Sequence, residues 1–194
     1  MDRVCRQYRS MPVRFEVREA AGQTGPVIAG YFAVFDTEYE MWVGESEKIA
    51  RGAFASCLGD DIRALIDHDT RLVLGRTAAG TLTLREDDHG LYGEIKINEA
   101  DTDAMNLYAR VQRGDVSQCS FGFDIIAEDY VVSPDGQKCT WTVREVKLYE
   151  VSVVTFPAYE ATAVEARSES AQRLSKARLE RRKKDLLERM KNKC

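Results

Sequence analysis

Along residues 12–18, Val13, Phe15 and Val17 alternate with charged side chains. A period of two is the mark of a half-buried strand. Residues 27–35 are rich in β-branched and aromatic side chains, with Gly30 as a point of bulge or bend. Residues 45–58 read as a short helix that Gly52 weakens. A brief apolar run at 62–66 ends in Asp67-His68-Asp69. Residues 81–97 read as a hairpin turning at Asp88-His89-Gly90. The period then changes: Ala104, Leu107, Tyr108 and Val111 fall at i, i+3, i+4, i+7, the apolar face of a helix. Asp101 or Thr102 caps its start and Gly114 ends it. Strand character returns at 116–127, and Ser133-Pro134-Asp135-Gly136 is a turn. Two further strands, 140–147 and 148–156, are closed by Pro157.

Many short strands with one helix among them predict an α+β, mostly β fold: a closed or partly closed antiparallel β-barrel with a few flanking helices. Residues 168–194 differ, with no Gly, Pro or β-branched residue and a narrow stripe of Leu179, Leu186 and Met190. They predict a basic C-terminal helical tail. The division expected is a domain over 1–166 and a tail over 167–194.

Charge sharpens that division. The net −4 of the 194 residues splits into −11 for residues 1–166 and +7 for 167–194. An acidic body argues against direct nucleic-acid binding, which needs a basic surface for phosphates. No apolar run approaches the roughly 20 residues that span a bilayer, and the first ten residues lack the apolar segment of a secretory signal. The 5 cysteines are scattered, with no CxxC pair, and there are only 2 histidines. That pattern indicates neither a disulfide framework nor a zinc site, and no cofactor loop is present, so no cofactor is expected.

What remains is a nucleophile, a base and an orienting group. His68, at a strand end, is better fixed than His89 in its turn. Taken alone it reads more often as a surface histidine flanked by acids. In 115–125, period two puts Ser117, Cys119, Phe121 and Phe123 on one face and Ser120 and Gly122 on the other. With the aromatics in the core, Ser120 faces outward beside a small neighbour, and Cys119 is inert among the aromatics. Ser117, near the strand start, remains an alternative. Glu150 stands with Ser152 on one face of an apolar strand, where its charge needs a partner. That partner is a histidine Nδ1–H, or else Lys147 or Arg144 at the surface.

The order of GYFAVFD, ARGAF, IDHD followed by LGR, DDHGLYGEIKI, CSFGF and LYEVSVVTFPAY resembles the prohead proteases of HK97-like tailed phages, over roughly residues 13–165. These are similar in fold and mechanism to the herpesvirus assembly proteases. The resemblance implies a serine nucleophile at Ser120, a histidine base at His68 and an acidic third member at Glu150. The herpesvirus branch has a second histidine as third member. No histidine follows His89 here, so a carboxylate serves or the site works as a dyad. It further implies a serine endopeptidase acting in the host cytoplasm, inside the procapsid. The expected partner and substrate is the major capsid protein or its scaffolding segment, along with the protease itself. A homodimer is compatible with it, and no membrane is involved. The rival reading is a non-catalytic capsid assembly or scaffold protein.

Overall fold

The computed structural model describes residues 6–12, 15–19 and 25–156. In chain order its elements are β1 (Gln7–Pro12), β2 (Glu16–Glu19), β3 (Pro26–Val34), β4 (Tyr39–Trp42), β5 (Glu45–Ile49), β6 (Arg63–Ile66), β7 (Asp69–Arg76), β8 (Leu82–Glu86), β9 (Gly90–Lys96), α1 (Thr102–Arg113), β10 (Gln118–Val132) and β11 (Cys139–Val154). The tail at 167–194 lies outside the described residues.

The strands form two sheets. The larger runs β1-β10-β11-β5-β4, with β6 also on β11 and β7 on β6; the smaller runs β2-β3-β9-β8. Among the described residues no ladder joins them, so the barrel expected from strand count does not close. The pairing is also not wholly antiparallel. β11 is long enough to take β10 antiparallel along one side and two short strands end to end on the other. β5 pairs with Cys139–Val143 and β6 with Glu150–Val153, both parallel to it. The turns between them are pinned to the gap: Ala50 N–H donates to Val143 O at 2.9 Å and Val146 N–H to Ala53 O at 3.1 Å.

The helix expected over 45–58 does not form. Residues 45–49 are β5, with Glu45, Glu47 and Ile49 inward, and the residues after Ala50 are a run of turns. Glu45 and Glu47 mask the alternation because both carboxylates are buried at 2% exposure. Glu47 is held by Arg9 of β1, whose Nε and Nη2 lie 2.5 and 2.9 Å from its two oxygens. The two strands expected at 140–156 are one, β11.

Helix α1 lies where the 3.6 period places it. Asp101 accepts from Asp103 N and Ala104 N at 3.0 and 3.2 Å, and Gly114 ends the helix at φ 88°. Its buried Ala104, Leu107 and Val111 join the core, and it packs on β2 and β7. Between the sheets, Phe32 of β3 meets the core that contains Phe121 and Phe123 of β10. The last two stack at 4.8 Å, and Phe54 from the turns packs edge-on against Phe121 at 5.6 Å. Each such ring contributes about 1.5–3 kcal/mol of burial, which makes β10 a rigid platform.

Candidate active site

Opposed residues in a ladder share a face, and successive residues alternate. The register sets Ser120 opposite Ser152 and Ser10, and Gly122 opposite Glu150 and Tyr8. One face of the large sheet therefore carries Tyr8, Ser10, Ser120, Gly122, Glu150 and Ser152. The other carries Cys119, Phe121, Phe123, Val151 and Val153, all buried in the core. Burial pushes the Cys119 thiol far above its ordinary range, so it holds its proton. Ser117 precedes β10 and is exposed.

Ser120 lies on the face away from the aromatics, but it is not exposed: its relative accessibility is 0%. β1 runs along one side of it and β11 along the other. Over the adjoining row the rings of Tyr8 and His68 meet edge to face, 4.6 Å between centroids.

His68 reaches this face from a two-residue turn between β6 and β7. Asp67 and His68 have φ of 47° and 61°, the left-handed conformation that a tight hairpin requires and that non-glycine residues adopt at a cost. Three contacts offset it. Asp67 N–H donates to Val153 O at 3.0 Å, and the Asp67 carboxylate accepts from Thr155 N at 2.7 Å and Thr155 Oγ1 at 3.2 Å. The turn bearing His68 is thus fastened to the end of the strand bearing Glu150. Asp69, on the other flank, takes Arg71, which holds its carboxyl down at about 2. Neither aspartate hydrogen-bonds the imidazole.

His68 Nδ1 lies 2.7 Å from Glu150 Oε1. The second oxygen of Glu150 accepts from Ser152 Oγ at 2.6 Å. Gly122 makes room: a Cβ there would stand 2.5 Å from Glu150 Oε1 and 3.0 Å from Tyr8 Cε1. Two polar atoms of this cluster are buried without a hydrogen-bond partner among the described residues, His68 Nε2 and Ser120 Oγ. They are the two atoms that a proton transfer from serine to histidine would join.

The remaining chemistry-bearing residues lie elsewhere. His89 is exposed, with its ring edge-on to Tyr31 at 4.5 Å. Arg76 is paired with Asp61. A groove of about 320 Å³ beside β1 is lined by Arg9, Met11, Tyr39, Ile49 and Phe121 among others, and none of His68, Ser120 or Glu150 lines it. Among the described residues no group of three or more His, Cys, Asp or Glu side chains is placed to hold a metal ion. Sequence reasoning assigned no role to Ser152 or Tyr8. For Ser152 a signal existed, since a hydroxyl two positions from a buried strand carboxylate lies on its face. Tyr8 carried none.

The family model for caudovirus prohead serine proteases matches residues 13–177, and the chain belongs to that family. It is 30% identical over 148 residues to the prohead protease of Enterobacteria phage HK97, covering 74% of this chain and 62% of that protein. The chain thus spans somewhat under two thirds of the length of that relative. The structure resembles that of the bacteriophage T4 capsid assembly protease with a TM-score of 0.54 at 11% identity, over 78% of this chain and 98% of that one, a likeness of fold alone.

Proposed function

We propose that the chain is a serine endopeptidase of phage capsid maturation, with Ser120 as nucleophile, His68 as general base and Glu150 as the group that orients the base. The observation that carries this reading is the ring of His68, held at Nδ1 by Glu150 and unpartnered at Nε2, on the face where Ser120 Oγ is also unpartnered. In this reaction Ser120 Oγ attacks the scissile carbonyl as His68 Nε2 takes its proton. The imidazolium then returns that proton to the leaving amine, and water repeats the sequence on the acyl-enzyme. Glu150 stabilises the imidazolium without itself exchanging a proton. No hydrogen bond joins Ser120 to His68 in the resting arrangement. Such bonds are commonly long before substrate enters and tighten in the complex. With Ser120 fully covered, a scissile carbonyl reaches Oγ only after a local opening.

The substrate proposed is the scaffold or the scaffolding segment of the major capsid protein, and the protease itself, inside the procapsid in the host cytoplasm. The +7 segment at 167–194 is proposed to dock on acidic scaffold or capsid surface. The test is co-expression with the major capsid protein of the same phage, read on a gel. Wild type shortens the capsid protein, and Ser120→Ala leaves it full length. Shortening by Ser120→Ala as well would refute the assignment, and no shortening by wild type would favour a non-catalytic assembly role.

A further inference from the structure

We infer that Ser152 is a positioning residue of the catalytic site, fixing the Glu150 carboxylate so that Oε1 faces His68. The inference rests on the catalytic reading above and concerns a residue two places along the same strand. Ser152 has 0% accessibility and is flanked by the buried Val151, Val153 and Val154. A hydroxyl there is costly unless it is bonded. Its bond is to Glu150 Oε2, at 2.6 Å, a length typical of a hydroxyl donating to a charged carboxylate. Glu150 thereby receives one donor on each oxygen, Ser152 on Oε2 and His68 on Oε1. Two donors fix the plane of a carboxylate, whereas one leaves it free to turn about the bond to its chain.

Among the described residues no other side chain hydrogen-bonds Glu150. From β6, Arg63 is the ladder partner of Glu150, but its guanidinium bonds Asp61. In the turn, Asp67 is engaged by Thr155, and from β7 Asp69 is engaged by Arg71. From β10 there is Gly122, without a side chain. From β1 Tyr8 presents its ring to His68. Ser152 is also the ladder partner of Ser120, so the residue steadying the acid lies beside the nucleophile, on the strand between the nucleophile and the base.

The consequence is electrostatic as well as steric. The Ser152 hydroxyl draws negative charge towards Oε2. Without it more of the charge faces Nδ1–H, and the protonated ring is held more firmly, while the carboxylate loses its fixed orientation. The test uses the full chain with purified major capsid protein of the same phage as substrate. Ser152→Ala is expected to lower kcat about tenfold with KM unchanged, and to move the acid limb of the kcat/KM profile to higher pH. In a Glu150→Gln background the same change is expected to cost less than twofold, because the hydroxyl acts through the carboxylate. Should Ser152→Ala fail to fold, Ser152→Cys carries the test. Its thiol is a weaker donor of nearly the same shape, and the same shifts are expected at smaller size. Unchanged kcat and pH profile, or equal losses with and without Glu150, would overturn the inference. If Ser120→Ala or Glu150→Gln itself leaves cleavage intact, the catalytic reading fails and this inference with it. If both lose activity and only Ser152→Ala is normal, this inference alone fails.

Discussion

Gly122 is the residue whose smallness the site depends on. It sits opposite Glu150 and Tyr8, and its missing side chain is the space into which the Glu150 carboxylate extends. A Cβ 2.5 Å from Oε1 forces the carboxylate or Tyr8 to shift. Gly122→Ala is therefore expected to lower kcat at least tenfold while the protein remains folded, as measured by cleavage rate beside the thermal midpoint. A variant with full activity would show that the carboxylate can be displaced without consequence. Cys119, next to Ser120 in sequence, is expected to behave in the opposite way to a reactive thiol. Its burial and raised pKa keep it protonated, so native protein resists alkylation at this position until it is unfolded. Mass spectrometry of iodoacetamide-treated protein reads this directly. The inertness of Cys119 was legible from its place among the aromatics, and so was the need of Glu150 for a partner in an apolar strand. The role of Ser152 was legible only in part: period two places it on the face of Glu150, but which oxygen it bonds is set by the geometry of the finished face.

Among the elements, the β6–β7 turn does the most for the site. Asp67 fastens it to Thr155, and removing that carboxylate leaves the Thr155 N–H unpaired and the left-handed turn less supported. Asp67→Ala is expected to cost about 1–2 kcal/mol of stability and to lower turnover several-fold, read by denaturant titration and by cleavage. Asp69 sets the acid behaviour of the same turn. Arg71 depresses its carboxyl from 3.8 to about 2, so the charged pair is fully formed above pH about 4 and is lost as pH falls through about 2. Carboxyl NMR shifts should show Asp69 still ionised at pH 3; titration at an ordinary carboxylate value would mean the pair does not persist in solution. β1 depends on a different contact. Arg9→Ala would remove the guanidinium that bonds both oxygens of the buried Glu47, which is expected to lower the denaturant midpoint measurably. That ion pair also explains why residues 45–49 do not read as a strand. Two carboxylates on the inward face hide the period of two, and nothing near them in sequence shows that an arginine 38 residues earlier holds one of them.

At the scale of the whole molecule, the mostly β character and the place of α1 could be read from periodicity, but neither the number of strands nor closure could: β4, β5 and β7 carry no clear period of two, and β11 read as two strands. Closure depends on which edges meet, and here β11 is extended enough to seat β5 and β6 in tandem, parallel to itself, leaving two sheets. That arrangement brings His68, from the end of β6, across β11 to Glu150 and the face of Ser120. All three come from residues before Phe156, the last residue described. The charge of the chain divides beyond that point, −11 over residues 1–166 and +7 over 167–194. Truncation after residue 166 is therefore expected to leave a folded domain that still cleaves, since His68, Ser120, Glu150 and the core of the described residues all precede that point. The same truncation is expected to reduce incorporation into procapsids, because it removes the basic segment of an otherwise acidic chain. That loss should be mimicked in the full chain by added salt, which screens exposed charges beyond about 8 Å at physiological strength. Counting protease molecules per procapsid for both forms, each carrying Ser120→Ala to prevent self-digestion, separates docking from catalysis. Equal counts would remove the docking role and leave the segment as an extension the protease can cut away.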